Sequence, residues 1–327
     1  MTTPNQPPQD PQNPQPYAPP AQPQAQPPVQ PQAVPQPYAT PAQPQAQPQA
    51  AAPFPARTYS EGLVEAPSSM NGAAPAIAMR HLLKVYGNLI AVGDLSLDIP
   101  TGSFYGIVGP NGAGKTTTLT MATGLLTPDR GTAFIHGIDI WADPERAKAL
   151  LGVMPDGMRL FDKLSGPDFL THVAMLRGID RETARTRTTQ LLGTLDLMSA
   201  GKKLISDYSA GMTKKIALAA ALIHAPKVLV LDEPFESVDP VSTANIRDIL
   251  QEFVQSGGTV VLSSHVMATV QKLCTHVAVV DHGRVIAAGT TEQVAAGQDL
   301  EERFSQLVGG RHDGEQLTWL YNEEPRG

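Results

Sequence analysis

From residue 77 onward, short apolar runs alternate with stretches whose apolar positions recur at helical spacing. Residues 77–79 and 91–99 carry apolar and polar side chains at strand-like spacing, with Gly87-Asn88 between them as a turn, and this predicts two strands. Residues 103–108 form a short apolar strand that runs into a glycine-rich loop, and 116–126 then reads as a helix stopped near Pro128. A strand at 133–135 turns at His136-Gly137, a helix follows over 144–151, and 152–154 is the next strand.

Between about 165 and 206 the period becomes helical. Phe169, Val173 and Leu176, then Leu191, Leu192, Leu195 and Leu197, predict two or three helices in a lobe inserted into the core. A further helix at 212–222 is ended by Pro226. Val228–Leu231 is a continuous apolar strand of the kind buried on both faces of a parallel sheet. Residues 259–263 and 277–280 repeat that type, with a helix around 242–254 before the former. The alternation predicts an α/β fold with a mostly parallel sheet and helices on both faces. Gly289 closes this core, and 291–308 supplies one or two short helices ahead of a loosely held end.

Composition separates the first 76 residues from the rest. Of 31 prolines in 327 residues, 21 lie before residue 76, and Asp10 is the one charged side chain among the first 55. Such a Pro/Gln/Ala segment offers little apolar surface to repay ordering, so 1–76 reads as a disordered tail. The net charge of -7 and the lack of a basic stripe give no reason to expect nucleic acid as a partner. Cys274 is the single cysteine, which rules out an internal disulfide and fits a reducing compartment. The N-terminus lacks signal-peptide regions, and the apolar run at 216–223 is too short to span a bilayer. The expectation is a soluble chain whose membrane-spanning part, if any, is another protein.

The chemistry concentrates in a phosphate loop, Gly109-Pro110-Asn111-Gly112-Ala113-Gly114-Lys115-Thr116, followed by Thr117. Gly109, Gly112 and Gly114 let the backbone turn so that successive N–H groups, including those of Asn111 and Ala113, point at phosphate oxygens. The following helix adds its unpaired N–H groups and positive dipole end. Lys115 would reach the β and γ phosphates of ATP, and Thr116 would ligate Mg²⁺. At the end of the apolar strand 228–231, Asp232 would hold the ion and Glu233 is the candidate general base. His265, ending another strand, could orient the attacking water.

With Tyr208-Ser209-Ala210-Gly211-Met212 in place between the helical segment and the Asp232 strand, the sequence resembles the ATP-binding subunits of ATP-binding-cassette transporters, most closely the exporter type for drugs, antibiotics and polysaccharides. The resemblance covers roughly 77–290 and implies a P-loop NTPase core with an N-terminal antiparallel β subdomain and a helical subdomain at about 160–215. Residues 291–327 would be a short helical appendage. It further implies a Mg-dependent ATPase in which Ser209 and Gly211 complete the ATP site of a second subunit. Tyr86 would stack on adenine, Asp239 would couple the two sites, and His265 would be the switch histidine. The implied partners are a second nucleotide-binding subunit, the same chain or another, and a multispan permease that places the protein at the cytoplasmic face of the membrane.

Three positions depart from the family pattern. Asp156 stands where Gln, or sometimes Glu, helps hold the ion or the water, and its shorter side chain would reach the ion through water. Ala210 replaces a usual glycine, which matters only if that position needs φ > 0. Val238 replaces a common leucine. The alternative reading is a mechanical or regulatory ATPase of the same kind that works without a permease.

Overall fold

The computed structural model describes residues 74–309. The tail expected over 1–76 therefore lies outside the described residues up to residue 73, as do Trp319 and Tyr321.

Two sheets organise the chain. The first is antiparallel, in the order β2-β1-β4-β5, from β1 (Ile77–Tyr86), β2 (Leu89–Ile99), β4 (Arg130–Ile135) and β5 (Ile138–Asp139). Gly87-Asn88 joins β1 to β2, and His136 and Gly137, both at positive φ, turn β4 into β5. The second sheet contains β3 (Phe104–Val108), β6 (Leu151–Met154), β7 (Val228–Leu231), β8 (Thr259–Ser264), β9 (His276–Asp281) and β10 (Arg284–Thr290). Its order is β10-β9-β3-β8-β7-β6, parallel except for the β9–β10 pair.

Side-chain alternation along the parallel strands builds two cores, one on each face. Val228 and Val230, with Tyr105, Ile107 and Val261, pack against Leu119 and Met121 and the antiparallel sheet. Leu229 and Leu231, with Phe104, Val108, Val260 and Leu262, pack against the helices of the opposite face. β7, apolar at every position, is therefore sandwiched on both sides, as its sequence predicts.

The helices are α1 (Lys115–Ala122), α2 (Pro144–Ala149), α3 (Gly166–Leu176), α4 (Arg181–Thr194), α5 (Ala210–Leu222), α6 (Pro240–Gln255), α7 (Met267–Leu273), α8 (Thr291–Ala295) and α9 (Leu300–Leu307). Phe169, Leu170, Leu192, Leu195, Leu197 and Ile216 bind the α3–α4 lobe to α5, whereas Leu176 stands 82% exposed.

Two expectations are corrected, and β10 and α7 go beyond what the sequence predicts. The helix expected over 116–126 begins at Lys115 and ends at Ala122, because Gly124 is left-handed (φ 70) and the Leu125 and Leu126 N–H groups turn back to the Thr120 carbonyl. Leu151 opens β6 instead of ending the preceding helix. Strand β10 was not anticipated: its run Arg-Val-Ile-Ala-Ala-Gly-Thr is half exposed and short of bulky apolar residues. Helix α7 was also missed, since Val266 provides no side-chain cap to announce it.

Candidate functional site

Because β3, β6, β7 and β8 are parallel, their carboxyl ends lie along one edge of the sheet, where ligands bind in open α/β folds. The phosphate loop leaves β3, Asp156 lies two residues beyond β6, Asp232 follows β7 and His265 follows β8. The loop, Asp156 and His265 border a cleft of about 540 Å³ lined by residues 111–117, Asp156, Glu233, Glu236 and His265, with Tyr86, Leu89, Ile90 and Ala91 on the β1–β2 hairpin; the buried Asp232 is not among its lining residues.

The loop's shape depends on glycine at two points. A Cβ on Gly109 would lie 2.2 Å from the Val280 carbonyl oxygen, and Gly114 (φ 97) would set one 2.4 Å from that of Ala91. Gly114 is the N-cap of α1 and no side chain caps this helix, so its first N–H groups are left for a ligand. Lys115 is buried, its ammonium donating to the carbonyls of Gly109 (2.8 Å) and Pro110 (3.2 Å). Thr116 is exposed to the cleft.

Asp232 and Glu233 face different environments. Asp232 is 3% exposed; its Oδ1 accepts a hydrogen bond from the Ser263 hydroxyl, while the buried Oδ2 has no partner. A buried carboxylate oxygen without a donor is costly unless a cation meets it. Glu233 is left-handed (φ 46), with its N–H on Ser263 Oγ at 2.9 Å and its carbonyl accepting from Lys214 Nζ at 2.9 Å. Its Oε1 lies 4.0 Å from Lys115 Nζ and its Oε2 3.1 Å from His265 Nδ1. Asp156 Oδ1 is 3.4 Å from Lys214 Nζ.

Tyr86, half exposed beside Leu89 and Ile90, offers a flat apolar surface at the cleft mouth, and Lys84 Nζ sits 5.7 Å from its ring centroid. Ser209, Gly211 and Asp239 are elsewhere: none of them lines this cleft. Ser209 caps α5 by accepting from the Met212 N–H, and Ala210 is the first helical residue with no positive φ, so its methyl group is unstrained. A Cβ on Gly211 would come 2.8 Å from Asp239 Oδ2 and 3.0 Å from Ser242 Oγ. Asp239 caps α6 through the N–H groups of Val241 and Ser242, and the Ser242 bond chiefly pulls its carboxyl below the usual range.

Sequence reasoning missed Ser263, Lys214 and Glu236. Ser263 lies in an apolar strand and Lys214 in a helix 19 residues from the group it touches, so neither announces itself locally. Glu236 follows Glu233 by three positions, and its acidity beside that motif was the available signal.

The residues fit a nucleoside triphosphate with a divalent cation. Uncapped helix N–H groups, a buried ammonium, an unpartnered Asp232 oxygen and an apolar hairpin platform match phosphates, ion and base in turn. Among the described residues no cluster of three or more His, Cys, Asp or Glu side chains could hold a metal alone. An ion here would need phosphate oxygens as further ligands.

The ABC transporter family model matches residues 92–236. The daunorubicin/doxorubicin resistance ATP-binding protein DrrA of Streptomyces peucetius is 38% identical over 219 residues, 67% of this chain and 66% of that protein. The linearmycin resistance ATP-binding protein LnrL of Bacillus subtilis (strain 168) is 33% identical over 210 residues, 64% of this chain and 68% of that protein. This chain thus spans about two thirds of the length of these relatives. A solved ATP-binding subunit of an ABC transporter superposes with a TM-score of 0.67 at 26% identity, over 72% of this chain and 100% of that one.

Proposed function

The chain belongs to the ATP-binding-cassette transporter family, as the ATP-binding subunit of a transport system, and on that premise we propose that it hydrolyses ATP with Mg²⁺ to drive export through a separate membrane permease. The observation that carries this reading is the gathering of the phosphate loop, Asp232, Glu233 and His265 at one sheet edge, with Ser209 and Gly211 outside the cleft lined there by the loop, Glu233 and His265.

In this reading the backbone N–H groups of the loop and of the α1 N-terminus hold the phosphates, and the Lys115 ammonium offsets their charge. Tyr86, with Leu89 and Ile90 beside it, stacks on the adenine. Thr116 and the unpartnered Oδ2 of Asp232 would hold the Mg²⁺, with Asp156 as a further carboxylate that could reach it through water. When bound, the ion would supply positive charge to offset that of the phosphate oxygens. Glu233 accepts the proton of the attacking water, and His265, 3.1 Å from its Oε2, fixes the direction of that carboxylate.

Ser209 and Gly211 acquire a role in binding ATP only on a neighbour. The functional unit we propose is therefore a head-to-tail dimer in which the capped start of α5 faces the partner's phosphates and Asp239 links the two sites. Among the described residues no helix is long and apolar enough to cross a membrane, so the permease is a separate chain or lies outside them. The exposed Leu176, Met175 and Met198 of the helical lobe supply an apolar surface for it. The similarity to antibiotic-resistance proteins favours export.

The test is Glu233→Gln. Hydrolysis should nearly vanish while ATP binding persists, and light scattering should show an ATP-dependent dimer. Unchanged turnover would remove Glu233 as the base.

A further inference from the structure

Glu233 is held at four atoms by groups from elsewhere in the chain, and the least expected of them is on α5. Its N–H bonds Ser263 Oγ and its carboxylate oxygens face Lys115 and His265, while its backbone carbonyl accepts from Lys214 Nζ at 2.9 Å. We propose that Lys214 is a positioning residue that fixes Glu233 for proton transfer and ties that placement to the helical lobe. The inference rests on reading Glu233 as the general base.

The left-handed backbone of Glu233 (φ 46) gives this contact its weight. A glutamate leaves that region readily, because its Cβ crowds the backbone there. Rotation about its backbone would swing the carboxylate away from His265 and from the cleft. Ser263 grips the N–H side of the residue and Lys214 the carbonyl side, so the strained conformer is pinned at both ends.

The Lys214 ammonium has a second contact, Asp156 Oδ1 at 3.4 Å. Lys214 is 19% exposed and Asp156 47%, so this ion pair is the weaker partner, and it serves to aim the ammonium. Asp156 lies in the loop between β6 and α3 that leads into the lobe, and Lys214 lies five residues after the α5 cap Ser209. Displacement of the lobe, or of the α5 start that would meet a second subunit, is thereby carried to the Glu233 carbonyl through one side chain.

The experiment compares K214M, K214R and D156N in the full chain with the wild type and E233Q. K214M should lower kcat about ten- to a hundredfold, the usual cost of misplacing a reacting group, with KM, ATP affinity and Tm nearly unchanged. K214R should restore most of the rate, and D156N should lower it less than K214M does. Without nucleotide, amide exchange in the 232–237 segment should quicken in K214M and return to normal in K214R. A wild-type rate in K214M overturns the proposal. So does a joint loss of rate and Tm without rescue by arginine, which marks a merely structural lysine. If E233Q turns over normally, the base assignment itself fails, and the exchange comparison alone decides whether Lys214 holds residue 233.

Discussion

Ser263 donates to Asp232 Oδ1 inside the core and leaves Asp232 Oδ2, also buried, without a partner. The same hydroxyl oxygen accepts from the Glu233 N–H, so one serine sets both acidic residues of the site. Ser263→Ala would strip one buried and one partly buried group of their partner at once. Loss of stability by about 1–3 kcal/mol is expected for such a deletion, read from urea unfolding without nucleotide. Turnover should also require more Mg²⁺, because Asp232 is no longer held in one orientation.

Gly112 and Gly114 separate a steric role from a binding role. Gly112 (φ 80) would place a Cβ with no atom within 4 Å, whereas the Cβ of residue 114 would meet the Ala91 carbonyl oxygen at 2.4 Å. Gly112→Ala should cost about 1 kcal/mol, the strain of a left-handed alanine, yet sharply reduce ATP binding by crowding the loop's concave side. Gly114→Ala should lower Tm far more, since backbone must move. Calorimetry and nucleotide titration on both variants give the comparison.

Gly211→Ala tests whether this glycine serves the chain's own packing as well as the proposed neighbouring ATP. Its Cβ would crowd Asp239 Oδ2 and Ser242 Oγ, on the two residues whose Oδ1 and backbone N–H make the α6 cap. A lower Tm in the nucleotide-free monomer is therefore expected, together with loss of ATP-induced dimerisation. An unaltered Tm would confine its role to the dimer.

Much of this site was legible because its chemistry is local. The eight-residue loop, the acidic pair after an apolar strand and the strand-end histidine each carry their geometry in neighbouring residues. Parallel strands then bring them to one edge without further information. What escaped was non-local. Lys214 meets the Glu233 carbonyl and Asp156 across 19 and 58 positions, and Ser263 is a polar residue in a run that reads as core. Strand β10 escaped for a different reason, since an edge strand needs few large apolar residues to pair on one side.

Tyr86 is 49% exposed and so contributes little to the folded core. If it stacks on adenine, Tyr86→Ala should weaken ATP binding by about 1–3 kcal/mol, the range for aromatic–base stacking. Tyr86→Phe should bind nearly as well as the wild type. Thermal melts of the nucleotide-free protein should barely change for either. Equal affinity in the alanine variant would mean that the base rests elsewhere, with Leu89 and Ile90 as the remaining apolar surface.

Acid sensitivity follows from three histidines that bind protons more weakly in the fold than outside it. Burial, then the charge of Lys227, lowers the pKa of His136; burial, then Arg177, lowers that of His224; burial lowers that of His276. His224 Nε2 pairs with the Leu151 carbonyl at the start of β6 while its Nδ1 has no partner. Below their ordinary value of 6.5 the unfolded chain takes up protons that the folded chain resists. Stability from these groups is thus complete above that pH and declines as pH falls from it towards the folded values. Tm measured from pH 8 to pH 5 should be flat at the upper end and fall below about 6.5. His224→Gln, which keeps a donor for Leu151 but cannot take up a proton, should reduce the slope. A Tm that rises on acidification would contradict the weakened proton binding of these partly buried rings.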